Sequence, residues 1–175
     1  MGIDRNVFTD CCLYIGSNEL FGKAKSIEPP TIQNKKVELS DLGSLGTIKL
    51  FNGKIEAMET TITLNSFYRE VFEKIANPSK AVDIKAYGNF TEFENDTATE
   101  NFGTKLFLRG TSQEFPLLGT MSEHDNMEYE MKFDLTMARL VQDNKELYYI
   151  DIPNNIYIVG GVDIRSDILR NLGLR

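Results

Sequence analysis

The sequence predicts a mainly β fold with some α: antiparallel strands packed as a sandwich or barrel, one internal helix, and a helix at the C-terminus. Three observations lead there. Residues 55–64 and 127–141 alternate between apolar and polar side chains, the period of a strand with one face buried. Turn residues punctuate the chain at short intervals, as antiparallel strands require. Only two stretches, after Ser66 and after Asp163, change to helical spacing.

Residues 11–15 and 20–27 read as opening strands around the turn Gly16-Ser17-Asn18, and Pro29-Pro30 breaks the ladder. Residues 33–52 read as an interrupted, hairpin-like excursion with Gly43 and Gly46 near its tip. Its apolar content is too low for a buried hairpin, so it stands in solvent or is covered by another chain. In 55–64, Met58, Thr60, Ile62 and Leu64 share one face, and Glu59, Thr61 and Thr63 the other. Ser66 is positioned as an N-cap, with Phe67, Val71, Phe72 and Ile75 at helical spacing and Asn77-Pro78 as the stop. A helix of this kind buries one face and should plug an open edge of the sheets.

Residues 81–93 and 104–115 read as a long antiparallel pair joined by the polar loop NDTATENFG. Val82, Ile84 and Ala86 mark one face of the first strand, Leu106 and Leu108 one face of the second. Residues 116–126 show no period and carry Leu117-Leu118. In 127–141 the apolar series Met127, Tyr129, Met131, Phe133, Leu135, Met137 and Val141 is interrupted by Arg139. Asp143-Asn144 then turns the chain into 146–152. Asp163 is expected to cap the last helix, whose stripe Ile164, Ile168 and Leu172 should pack with Val162 on the chain's own sheet, and Gly173 to stop it.

The 175 residues suit a single domain, 1–175, with 41% apolar and 26% charged residues. A net charge of −7 works against nucleic-acid binding, which needs a surplus of Lys and Arg on one face. No stretch approaches the roughly 18 consecutive apolar residues of a membrane span. The N-terminus lacks the basic and apolar segments of a signal peptide, so synthesis in the cytoplasm is expected. Cys11 and Cys12 are adjacent, a spacing that strains a disulfide, and the one histidine, His124, lies between Glu123 and Asp125 in a polar loop. Glu92 and Glu94 line one wet strand face, and no phosphate-binding or nucleophile motif occurs. Gly160-Gly161 precedes the acidic Asp163 where an anion would dock. No catalytic site, cofactor, metal or small-molecule ligand is expected.

Strand-rich chains must hide their edges, and pairing with identical copies in a closed ring is one way. The excursion at about 33–52, with Leu39, Leu42, Leu45 and Ile48, is a candidate arm for gripping a neighbour. The loop at about 116–126, with Leu117 and Leu118, is another. Each reads equally as a mobile surface loop.

A more specific indication comes from the C-terminal third. A strand with alternating apolar residues, a polar turn, Tyr148-Tyr149-Ile150-Asp151, Gly161-Val162-Asp163 and Arg170-Asn171-Leu172-Gly173-Leu174 follow one another in that order. This pattern resembles the C-terminal end of the tail tube proteins of contractile-tailed phages, the P2-like tubes and those of R-type tailocins. The match is most specific over residues 128–175. The resemblance implies two packed antiparallel sheets with a flanking helix, and six copies in a ring whose inner sheets join as one β-barrel. It implies stacked rings as the inner tube of a contractile tail, in a virion or tailocin particle. Tail sheath, tape measure, baseplate and tail terminator proteins are the implied partners, and DNA passes only in transit. Glu59, Thr61 and Thr63, or the polar face of 82–93, are then expected to line the channel. Gly161, Val162, Asp163, Leu172, Gly173 and Leu174 form the implied structural motif at the C-terminus. The alternatives are the ring-forming tube of a type VI secretion system and a small-molecule-binding β-barrel.

Overall fold

The computed structural model describes residues 4–40, 45–95, 97–119 and 127–174. Its elements run β1 (Asp4–Ile15), β2 (Asn18–Glu19), β3 (Ala24–Glu28), β4 (Asn34–Leu39), β5 (Ile48–Ile55), β6 (Met58–Leu64) and α1 (Arg69–Ile75). They continue through β7 (Val82–Glu94), β8 (Thr97–Glu114), β9 (Tyr129–Gln142), β10 (Lys145–Asp151), β11 (Ile156–Val159), β12 (Val162–Asp163) and α2 (Ser166–Asn171). The fold is mainly β, and every strand pairing is antiparallel.

Ten strands form one hydrogen-bonded sheet in the order β12-β11-β10-β9-β8-β7-β1-β2, with β6 also on β9 and β3 on β6. The pair β4-β5 stands apart as a two-stranded ribbon. β9 is shared. Along one edge it meets β8; along the other, Tyr129–Leu135 pair with β6 and Met137–Gln142 with β10. Met58, Ile62, Leu64, Met131 and Phe133 belong to the same buried cluster as Leu13, Ile15 and Ile84. Side chains on one face of a flat sheet cannot bury one another, so the sheet folds over into two facing layers. The antiparallel, mainly β character is as expected, but the two layers belong to one continuous ten-stranded sheet instead of two separate packed sheets, and the described strands do not close a barrel within one chain.

The fold-over happens at a bulge. Arg109 pairs with Met137 and Gly110 with Leu135, which leaves Thr136 as the extra residue on β9. The Thr136 hydroxyl donates to the Arg109 carbonyl at 3.3 Å, and its own carbonyl accepts the Ile152 N–H at 3.0 Å. Gly110 is required there. A Cβ at this position would overlap the Asp134 carbonyl oxygen and stand 2.9 Å from the Leu135 Cα. The bulge also explains Arg139. Beyond Thr136 the strand changes phase, so Ala138 is buried and Arg139 faces out. The single alternation expected over 127–141 is two alternations of opposite phase.

α1 closes one end of the core. Val71 and Ile75 are buried, and the Ser112 hydroxyl donates to the Ile75 carbonyl at 2.6 Å. Phe72 packs edge-on to Phe115 with ring centres 5.6 Å apart, while Lys74 reaches Ser17 and Asn18 on the β1–β2 turn. The cap differs from expectation: Tyr68 precedes the helix and Ser66 makes no capping bond.

Three other expectations are corrected. β1 begins at Asp4, and of the segment 20–27 only the part from Ala24 on is strand, in β3, because the chain turns after β2 ends at Glu19. The polar loop after residue 94 is largely strand, because pairing continues to Glu94 opposite Thr97. Both extensions run past the core, where neither face is buried and no alternation is needed. Finally, Asp163 lies in β12, and α2 starts at Ser166 with Arg165 before it. The late start shifts the buried face of α2 to Leu169, and Val162, Ile164, Ile168 and Leu172 are exposed instead of packed on the sheet. Two predicted turns hold: Asp143-Asn144 link β9 to β10 with positive φ at both residues, the geometry of a tight hairpin turn. Gly173 stops α2 at φ +71°, with Leu174 N–H on the Leu169 carbonyl and Gly173 N–H on that of Arg170, each 3.0 Å.

Replacing Gly110 with Ala should lower stability by about 2–3 kcal/mol, since backbone must move to admit the methyl. Gly103→Ala, where the added methyl meets open space, should change it by less than about 0.5 kcal/mol. Urea midpoints of the two variants decide the matter, and equal midpoints would remove the role assigned to Gly110.

Candidate assembly surfaces

The outward face of β6 carries Glu59, Thr61 and Thr63 in a row, because Met58, Thr60, Ile62 and Leu64 take the core face. Buried Thr60 is satisfied by donating to the Glu28 carbonyl at 2.6 Å. Direct pairing sets Asp134, Lys132 and Glu130 beside the row on β9, and Glu28 beside Thr61 on β3. Lys132 bridges Glu114 at 3.3 Å and Glu130 at 3.8 Å, and its ammonium is held above the usual lysine range by the hydrogen bond to Glu114 and then by the charge of both carboxylates. Among the described residues, this face sets Glu28, Glu59, Glu114, Glu128, Glu130 and Asp134 against Lys25, which pairs with Glu128, and Lys132. It is strongly acidic.

The outward face of the other layer differs. Asp83, Lys85 and Tyr87 on β7 lie beside Arg109, Phe107 and Lys105 on β8, and Phe107 lies beside Arg139. Arg109 meets Asp83 at 3.7 Å and Arg139 meets Glu146 at 2.5 Å, with Arg139 also over the Tyr149 ring. Basic and aromatic groups dominate there. The two candidate channel linings therefore differ in sign.

The ribbon β4-β5 has one polar and one aliphatic face. Val37 pairs with Leu50 and Leu39 with Ile48, so these four share a side, and each is about half exposed. Glu38 and Lys49 pair on the opposite side at 2.7 Å. At the tip Leu45 is fully exposed, and Leu42 lies outside the described residues. The base is pinned to the body: Tyr148 donates to Tyr157 at 2.7 Å, Tyr157 to Asn34 at 2.9 Å, and Phe51 packs edge-on against Tyr157. Burial, then the bond to Tyr157, raises the Tyr148 phenol above the ordinary tyrosine range.

Next to that base, an apolar groove of about 630 Å³ opens between the layers. Ile27, Pro29, Pro30 and Ile32 form one wall, and Cys11, Ala86, Phe90, Leu106 and Leu140 the other. Sequence reasoning missed it because its lining comes from many separated segments, none with a distinctive period. Val37 and Leu50 were also missed, although the alternation in Lys36-Val37-Glu38-Leu39 carried the signal.

At the C-terminus, Gly160-Gly161 form the turn between β11 and β12, and the Asp163 carboxylate accepts the Arg165 N–H at 2.9 Å. Val162, Leu172 and Leu174 are about two-thirds exposed, which makes this end an uncovered apolar surface. Leu117 and Leu118 are exposed too. The rest of their loop, 120–126 with His124, lies outside the described residues. Among the described residues no His, Cys, Asp and Glu cluster could hold a metal.

A family model described as phage tail tube protein FII matches residues 5–173. The tail tube protein of Escherichia phage P2 is 28% identical over 156 residues, covering 87% of this chain and 88% of that protein.

If Leu169 alone anchors α2, Leu169→Ala should lower stability by about 2–4 kcal/mol. Ile168→Ser should change it by less than about 1 kcal/mol, since that side chain is 40% exposed. Denaturant melts of both variants check this, and the reverse ranking would contradict it.

Proposed function

This chain belongs to the phage tail tube protein family, and from that premise we propose that it is the structural subunit of the inner tube of a contractile tail. The observation that carries the reading is the family match over residues 5–173, nearly the whole chain. Copies assemble into hexameric rings, and the rings stack into a hollow tube in the tail. The subunit has no catalytic role. The whole of 1–175 acts as one tube unit, made in the host cytoplasm. The sheath surrounds the tube, the tape measure protein occupies it during assembly, and baseplate and terminator proteins cap its ends. The phage origin of the P2 relative favours a phage tail over a secretion-system tube, and the same subunit chemistry serves a tailocin.

In this reading the row Glu59, Thr61 and Thr63 lines the channel. The acidic surroundings of that row support it over the face with Lys85, Lys105 and Arg109. A polyanion slides past fixed negative charge and is held by positive charge. Leu39, Leu45, Ile48, Leu117 and Leu118, and Leu42 with them, act as grips on neighbouring subunits. The exposed C-terminal residues Val162, Leu172 and Leu174, set by the turns at Gly161 and Gly173 and by Asp163, add a further contact.

Light scattering and negative-stain electron microscopy of purified protein test the function. Rings with a central hole or stacked tubes are expected; protein that stays monomeric at high concentration and on a baseplate template contradicts it. For the channel, phage carrying Glu59→Lys and Thr61→Lys should eject DNA more slowly, with the defect shrinking as salt rises. Unchanged ejection from intact tails would remove the row from the channel.

A further inference from the structure

Adjacent strands bring one residue each into a single row across the outward face of the β1-β7-β8-β9-β10 layer. Tyr14 pairs with Lys85, Lys85 with Phe107, Phe107 with Arg139, and Arg139 with Tyr149. Aromatic and cationic side chains therefore alternate, with a ring at each end. The next row repeats the alternation out of step, with Tyr87 beside Lys105. Around Lys85, Tyr87, Lys105 and Phe107 the result is a checkerboard. Its rings hold one another edge-on, Tyr14 to Tyr87 with centres 5.6 Å apart and Tyr87 to Phe107 at 6.2 Å. Neither Lys85 nor Lys105 has an acidic partner among the described residues, and Lys105 reaches only the Asn144 Oδ1 at 3.4 Å. The acids present stand at the margins: Asp83 is matched to Arg109, Glu146 to Arg139, and Glu19 lies beside Tyr14. On a chain of net charge −7, two unneutralised lysines set among packed rings are a place for an anion.

Cations among rings suit either a nucleic-acid strand or an acidic stretch of polypeptide. The structure favours the second. A nucleic-acid strand brings a phosphate with every nucleotide and stacks its bases on open ring faces. Here Asp83, Glu146 and Glu19 bound the patch, and the rings are turned against one another at 89° and 85°. A few carboxylates with apolar side chains between them match two free ammonium groups separated by rings. The face is also turned the right way, since the acidic row on β6 lies on the other layer. Resting on the reading that this row lines the channel of a tube, we propose that the outward face of β7 and β8 is the surface on which the tube holds its sheath. Lys85 and Lys105 receive carboxylates of an acidic sheath segment, and Tyr14, Tyr87 and Phe107 pack its apolar side chains. The row from Tyr14 to Tyr149 crosses four inter-strand gaps, about 19 Å, so the segment lies across the strands.

The test measures sheath bound per tube. Tubes of wild-type protein and of the double variant Lys85→Glu/Lys105→Glu are mixed with the sheath protein of the same particle and sedimented at rising salt. Wild-type binding should fall as salt rises. The double variant should form normal tubes yet hold at least about tenfold less sheath, and Lys85→Arg/Lys105→Arg should restore binding. Variant tubes that take up sheath as wild type does overturn the inference and leave the tube reading standing. If the variant forms no tubes, acetylation of the wild-type protein decides: Lys85 and Lys105 should react in bare tubes and be protected in sheathed ones. Equal reaction in both, or protection already complete in bare tubes, overturns the inference. Single-stranded DNA retained by wild-type subunits and released by the double variant would assign the face to nucleic acid and overturn it as well. Wild-type protein that forms no tube, even on a baseplate template, removes the tube reading along with it.

Discussion

The structure depends on the approach of two backbones at Gly110. A sheet of this width can remain open, with one face wet, or curl until its apolar face covers itself. β8 and β9 curl it. Their ladder passes through the Thr136 bulge, and the absence of a side chain at Gly110 lets the Asp134–Leu135 backbone close in. Beyond that point β9 exchanges one neighbour for another, β6 before the bulge and β10 after it. Tyr129, Met131 and Phe133 are thereby turned to face Leu13, Ile15 and Ile84, and each buried side chain contributes about 1.5–3 kcal/mol. The helix α1 is secondary to this, a stopper for the end that curling leaves open.

Curling also decides what remains unsatisfied. It brings β3 round toward β1 without joining them, and it leaves the inter-layer space open beside Pro29 and Pro30. It sends the acidic face of β6 and the basic, aromatic face of β7 and β8 to opposite sides of the molecule. The ribbon and the end of α2 then carry apolar side chains that no described residue of the chain covers. For a protein that worked as a monomer these would be liabilities to solubility. For a member of the phage tail tube family, we propose that they are surfaces on which subunits meet.

Much of this was legible in the sequence where one face is buried and the other wet. The row Glu59, Thr61 and Thr63 was readable because Met58, Ile62 and Leu64 are all drawn to the same core. Asp143-Asn144 and Gly173 were readable because their backbone geometry selects those residues. The failures have physical causes as well. Arg139 looked like a flaw in one long strand because a bulge leaves no mark on the period except the break itself. Residues 4–10 and 97–103 were not recognised as strand because backbone pairing beyond the core imposes no alternation. Ile164, Ile168 and Leu172 form a convincing apolar stripe, but spacing cannot say whether a stripe is covered by its own chain or by another. The groove was invisible, being made by tertiary convergence of many short segments.

The most direct measurement is a near-atomic cryo-electron microscopy reconstruction of the tube assembled from this protein. The account predicts subunits that keep the bend at Gly110, with Glu59, Thr61 and Thr63 facing the central channel. A tube in which that row faces outward would contradict it.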